Sequence, residues 1–180
     1  MDKEILILVD ANDTVIGTEI RERCHLGDGI LHRAIATFIF NDEVQLLIAL
    51  RAKSKTLWPA FWDASCCTHV YPDETYEQAG ERRLPQELGF SCQVKFLTKF
   101  QYQAKYGDIG SENEMCALLI GKYNGEVKPN QTEVASYKWI DIDRLKKDVF
   151  DNSDAYTPWL RVALAEYVRF LPKTGDPLHI

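Results

Sequence analysis

The chain has 180 residues and a mass of 20.7 kDa, with 46% hydrophobic residues, enough for one globular domain with its own core. Its 21 basic and 27 acidic residues leave a net charge of −6 and a pI near 5.2, which argues against nucleic acid as a partner. No apolar run approaches the ~20 residues of a membrane span, and Met1-Asp2-Lys3-Glu4 does not begin a signal peptide, so no membrane partner is expected. The five cysteines form no CxxC pair, and their odd number argues against a disulfide framework. The expected setting is a reducing cytoplasm, where a thiol is available for chemistry.

In chain order, Glu4–Val9 and Thr14–Ile20 read as strands around an Ala11-Asn12-Asp13 turn, followed by a Gly27-Asp28-Gly29 loop. His32–Phe40 and Val44–Arg51 are β-rich runs joined through Asn41-Asp42-Glu43 as a hairpin. Their apolar residues fall on both faces, as in a sheet covered on both sides. Ala52–Trp62 is irregular and Asp63–His69 extended. Glu74–Leu88 reads as a helix closed by Gly89, with Pro85 expected to kink or shorten its last turn. Val94–Ala104 and Glu112–Tyr123 are strands separated by a Gly107–Gly110 loop, Glu133–Ile140 is another, and Asp141–Phe150 is helical. The last helix is capped by Thr157, starts at Pro158, carries the stripe Leu160, Leu164, Tyr167, Val168 and Leu171, and stops at Pro172. That stripe is most simply core, so a monomer is expected. The mixed order predicts a single α/β or α+β layered domain over residues 1–180.

Four groups of residues carry chemistry. Glu112 and Glu114 open an otherwise apolar strand and share one face, roughly 6–7 Å apart. Two like charges there need a positive partner. Three of the four histidines, His25, His32 and His69, lie upstream in polar or Gly-rich settings, and three imidazoles with two carboxylates suit Zn²⁺ or Mn²⁺. In Cys66-Cys67-Thr68-His69, strand alternation puts Cys67, not Cys66, on the face of His69; the plain alternative is a buried Cys beside a hydrogen-bonded His. Arg51, Lys53, Lys55, Arg82 and Arg83 offer a phosphate clamp, although a solvated charged face is the commoner fate of such a cluster. Finally, Glu74, Arg82, Glu87 and Gly89 match the skeleton of a Nudix box in which Thr68 replaces the glycine, and Arg83 and Gln86 replace two acids.

These segments together resemble the type 1 isopentenyl-diphosphate isomerases. Arg51-Ala52-Lys53-Ser54-Lys55 to Trp58-Pro59, Cys66-Cys67-Thr68-His69, Arg82-Arg83 through Glu87-Leu88-Gly89, Tyr102, Glu112-Asn113-Glu114 and Thr157-Pro158-Trp159 stand in that family's order and spacing. The similarity runs from about Ile5 to the final helix. It implies a Nudix fold, with mixed sheets packed between helices, used for isomerisation instead of hydrolysis, which fits the degraded box. His25, His32, His69, Glu112 and Glu114 would then bind Zn²⁺ or Mn²⁺. Glu87, with the Cys67 carbonyl, would hold Mg²⁺ at the diphosphate. Arg21, Arg51, Lys55 and Arg83 would bind that diphosphate, with Arg21 at a position more often Lys. Cys67 and Glu114 would transfer protons on opposite faces of the alkene, Tyr102 would assist Glu114, and Trp159 would lie over the hydrocarbon. Thr68, and Val70 in place of a usual Pro, depart from the pattern beside Cys67.

The expected substrate is thus a small prenyl diphosphate. Protonating its unactivated alkene produces a tertiary carbocation, which calls for a strong acid, a base (a Cys67 thiolate is one candidate), an aromatic face and exclusion of water. Two alternatives compete. A Nudix pyrophosphatase is disfavoured by the missing acids at Arg83 and Gln86. A non-catalytic binding module is disfavoured by the retention of Cys67, Tyr102 and Glu114.

Overall fold

A computed structural model of the chain describes residues 4–170. β1 (Ile5–Val9) and β2 (Val15–Ile20) form the opening hairpin, its turn fixed by Asp10, whose Oδ1 accepts from the amides of Asn12 at 2.8 Å and Thr14 at 2.9 Å. A one-turn helix absent from the sequence reading, α1 (Arg21–Cys24), follows directly.

β3 (His32–Phe40) is the centre of the molecule. It pairs antiparallel with β1, with β4 (Leu46–Arg51) at their hairpin and with β6 (Cys66–His69), and parallel with β8 (Gly110–Lys122) along its whole length. β7 (Val94–Tyr106) pairs antiparallel with β8; β4 also pairs with β5 (Trp62–Asp63) and β9 (Val134–Ile140). The result is a continuous, mixed nine-stranded network within the layered α+β domain that the order of elements predicted.

Alternation along β3 and β8 divides the core in two. Ala36, Phe38, Phe40, Cys116, Leu118 and Ile120 face one side, where they pack with Leu145, Leu160, Leu164 and Tyr167. Ile35, Ile39, Met115, Ala117 and Leu119 face the other, against Ala79, Leu84 and Leu88. The first group lies under α3 (Ile142–Asp151) and α4 (Pro158–Phe170), the second under α2 (Tyr76–Leu88).

α2 starts with a reciprocal cap: Gln78 N–H donates to Thr75 Oγ1 at 3.2 Å and Thr75 N–H to Gln78 Oε1 at 2.8 Å. Pro85 does not shorten it. The helix runs on to Leu88 and ends at Gly89, whose φ of 75° and close approach to the Lys128 carbonyl leave no room for a Cβ. α4 is capped as expected, the Leu160 amide donating to Thr157 Oγ1 at 3.4 Å. Leu171 and Pro172, assigned to the end of its stripe, lie outside the described residues. No helix among the described residues is long and apolar enough to cross a membrane.

Candidate active site

A cavity of about 520 Å³ opens on the α4 side of the sheet. β6 and β8 lie on opposite edges of β3, with Ala36 opposite Cys67 on one edge and Leu118 on the other, and Ala34 opposite His69 and Cys116. Two strand spacings, about 9.5 Å, separate β6 from β8, and Cys67 and Glu114 are also offset by four residues along β3, one opposite Ala36 and the other opposite His32. Both side chains line the cavity, as do His69, Tyr102, Glu112 and Trp159. Cys66 points instead into the core beneath α2. Thr68 and Val70 do not disturb this arrangement: Cys66–His69 is a regular strand in register with β3.

His25, His32 and His69 meet at one point. Their ring centroids are 5.0, 5.1 and 5.1 Å apart, nearly an equilateral triangle. Each ring has its Nδ1 against an oxygen: Ser111 O at 3.0 Å for His25, Ile30 O at 2.7 Å for His32, and Glu4 Oε1 at 3.2 Å for His69. Those acceptors assign the proton to Nδ1 and leave Nε2 as the ligand atom, as outer partners do for metal-binding imidazoles. The Nε2 atoms of His25 and His69 are 3.2 Å apart, and the buried His32 Nε2 has no hydrogen-bond partner among the described residues. Donor atoms of the three rings and Glu112 all lie within 4.8 Å of one another. Glu114 Oε1 is 3.6 Å from both His32 Nε2 and His69 Nε2. Convergent imidazole lone pairs repel unless a cation sits among them, so this donor set fits a transition-metal ion.

Glu114 is 7% exposed, and its other oxygen accepts from Tyr102 Oη at 2.5 Å. Burial opposes its charge, but His32, His69 and Tyr102 outweigh burial and bring the carboxyl down to about 2. Burial, and then the Glu114 charge, pushes the Tyr102 phenol well up. Burial and the Asp63 carboxylate likewise push the Cys67 thiol well above its ordinary value.

Basic residues share the cavity with these groups, Arg51 beside the Trp159 ring and Arg21 beside the Glu4 carboxylate that holds His69. Arg21, Arg51, Lys55 and Arg83 all line the cavity, whereas Lys53 is exposed and Arg82 is engaged with Glu74 and the His69 carbonyl. Each of the four lining cations has an acidic neighbour: Glu4 for Arg21 at 3.5 Å, Asp63 for Arg51 at 2.9 Å, Glu133 for Lys55, and both Glu87 and Glu133 for Arg83 at 2.8 and 2.9 Å. Arg51 also donates to the carbonyls of Leu57 at 2.8 Å and Trp58 at 2.9 Å, bracing the loop that carries them. Glu87 borders a recess of about 20 Å³ with Cys67 and Lys55, room for one water-sized particle.

Three acids at the site escaped the sequence reading. Glu4 orients His69, and Glu133 pairs with Lys55 and Arg83. Asp63 accepts from Trp159 Nε1 at 2.6 Å and Thr157 Oγ1 at 3.1 Å. A signal existed for Asp63: a lone charge in the run Phe61-Trp62-Asp63-Ala64-Ser65 needs a buried partner.

Residues 30–160 match the NUDIX domain family. The chain is 36% identical over 168 residues to isopentenyl-diphosphate Delta-isomerase 1 of Photorhabdus laumondii, covering 92% of this chain and 96% of that protein. It is 38% identical to the isopentenyl-diphosphate Delta-isomerase of Serratia proteamaculans, covering 87% of each. Among solved structures, DR0079 of Deinococcus radiodurans superposes with a TM-score of 0.71 at 21% identity, over 89% of this chain and 97% of that one, a likeness of fold. The curled mixed sheet with helices on both faces, the sequence kinship over nearly the whole length and the match to the domain agree: the chain is a member of the Nudix superfamily and, within it, of the isopentenyl-diphosphate isomerase family.

Proposed function

We propose that this chain converts isopentenyl diphosphate to dimethylallyl diphosphate, moving a double bond within a small prenyl diphosphate. The observation that carries the proposal is the presence of Cys67 and Glu114 on strands at opposite edges of β3, facing one cavity that four basic side chains also line. An alkene lying between them has one proton-transfer group on each face.

Those four, Arg21, Arg51, Lys55 and Arg83, would take the diphosphate, with the guanidinium forks offering paired donors to phosphate oxygens. His25, His32, His69, Glu112 and Glu114 would hold Zn²⁺ or Mn²⁺, and Glu87 with the Cys67 carbonyl would hold Mg²⁺. Bound there, the ions would supply positive charge that neutralises the buried carboxylates and the diphosphate. With the diphosphate held by those cations, the hydrocarbon falls between β6 and β8, against Tyr102 and Trp159.

A proton delivered to the terminal alkene carbon leaves a tertiary carbocation, and removal of a proton from C2 on the opposite face completes the shift. Cys67 and the hydrogen-bonded Glu114–Tyr102 pair are the two groups placed to carry these protons. The Trp159 face would stabilise the cation by roughly 0.5–2 kcal/mol. Trp159 and Tyr102, at 4% and 8% exposure, give the cation aromatic walls, and the bound prenyl chain itself would displace the water that could trap it.

Incubating the purified chain with isopentenyl diphosphate, Mg²⁺ and Zn²⁺ or Mn²⁺ and following ¹H and ³¹P spectra tests the proposal. Dimethylallyl diphosphate without phosphate release is expected. Inorganic phosphate would indicate a pyrophosphatase, and unchanged substrate a binding protein.

A further inference from the structure

Asp63 lines only the small recess beside the main cavity. It is nevertheless the most heavily used carboxylate at the site. At 5% exposure its charge must be matched locally. Oδ2 accepts from Arg51 Nη1 at 2.9 Å. Oδ1 accepts from Trp159 Nε1 at 2.6 Å, the Ala64 amide at 2.8 Å and Thr157 Oγ1 at 3.1 Å, and lies 3.5 Å from Cys67 Sγ. Thr157 caps α4, so the carboxylate also sits at the positive end of a 13-residue helix.

We infer that Asp63 is a positioning residue for the isomerisation: one carboxylate locks the Trp159 indole and the Arg51 guanidinium together and supplies the negative charge that lets this ring face a carbocation. This rests on the isomerase reading. The Arg51 guanidinium carbon is 5.2 Å from the Trp159 ring centroid, so a permanent cation already draws on the ring's π-electrons. A second cation forming nearby would be repelled by Arg51 and would find a weakened π-face. A carboxylate bonded to both Arg51 and the indole N–H cancels the first effect and reverses the second. It also fixes the ring at its N–H edge, with Trp58 packed edge-on at 5.1 Å and Tyr102 at 5.9 Å. The backbone explains the reach of Asp63. β5 pairs with β4 only at Trp62 and Asp63, and the Trp62 carbonyl accepts from the Thr157 amide at 2.9 Å, which docks the start of α4 beside the carboxylate.

Asp63→Asn tests this because the amide is isosteric, neutral and has one acceptor oxygen, which cannot serve both Arg51 and Trp159. We expect kcat for isopentenyl diphosphate to fall at least tenfold with a smaller change in KM. In Trp159→Phe, which lacks the indole N–H, adding Asp63→Asn should cost several-fold less in kcat than it does in the wild type, since only the unbalanced Arg51 charge is then left to act. Asp63→Ser, which keeps an acceptor in a smaller side chain, carries the same expectation and is read if Asp63→Asn does not fold. An active wild type with Asp63→Asn within twofold of it in kcat, or full multiplication of the two effects in the double variant, overturns the inference alone. A wild type that makes no dimethylallyl diphosphate overturns the isomerase reading and this inference with it.

Discussion

Tyr102→Phe isolates one hydrogen bond at the proposed proton-transfer wall. The ring contacts of Tyr102, with Phe100 at 6.1 Å and Trp159 at 5.9 Å, do not involve the hydroxyl, so the variant keeps its packing and loses only the 2.5 Å bond to Glu114. Hydrogen bonds to charged groups contribute about 1.5–3 kcal/mol. If that interaction is used as Glu114 gains or loses its proton, the barrier rises by the same amount and kcat falls roughly 10- to 150-fold. The hydroxyl bonds Glu114 and not the basic side chains, so KM should stay within about twofold, the pattern of an interaction made in the transition state. Steady-state conversion of isopentenyl diphosphate, with a melting curve as a fold check, reads both parameters. A kcat within twofold of wild type, or a rise in KM alone, would refute the role given to Tyr102.

The remaining expectations are independent of that bond. Cys67→Ala should abolish isomerisation, while Cys66→Ala, on the opposite face of β6, should keep most of it and lose about 1 kcal/mol of stability for the missing core atom; equal losses of activity would sink the assignment. Glu112→Gln should weaken Zn²⁺ or Mn²⁺ binding at least tenfold, the low end for losing even an outer partner; an unchanged metal content by elemental analysis would count against Glu112 as a ligand. A stability test lies away from the site at Asp13, which bonds Arg33 at 2.7 Å, Tyr76 at 2.7 Å and Lys99 at 2.8 Å. Burial raises its carboxyl, but Lys99, Arg33 and Tyr76 outweigh that and hold it below its ordinary value. With the folded value below the unfolded one of about 3.9, its contribution is present above that pH and disappears as pH falls through the folded value. Asp13→Asn should therefore cost about 1–3 kcal/mol near neutrality and progressively less as the pH falls through the folded value; a gap of the same size at neutral pH and in strong acid would contradict this.

Much of the fold was legible because period-two alternation is local. His32–Phe40 and the run ending at Lys122 display both core faces in their own residues. What was not legible depends on distant partners. Asp63–His69 reads as one extended run, yet it splits because Trp62–Asp63 pairs with β4 and Cys66–His69 with β3. At the changeover, Ser65 Oγ donates to Leu47 O at 2.6 Å and accepts from the Ile39 amide at 2.9 Å. β7 and β8 run two residues further toward the expected Gly107–Gly110 loop than the sequence suggested, pairing as far as Tyr106 with Gly110, where the Tyr106 ring packs on Trp58 at 4.9 Å. At the site, the likeness to a known family named the candidate cations and ligands; most of them line one cavity, while His25 and His32 meet the His69 ring at its wall and Glu87 borders the adjoining recess. The acids that hold those groups in place, Glu4, Asp63 and Glu133, are defined by contacts 65, 96 and 50 residues away along the chain.

The central claim is that a solvent-exchangeable group of the protein adds a proton to the terminal alkene carbon before another is removed from C2. Running the reaction in D₂O tests it most directly. The account predicts dimethylallyl diphosphate carrying deuterium in a methyl group, since the terminal carbon takes its new hydrogen from a solvent-exchangeable acid. Product formed without deuterium in any methyl group would contradict it.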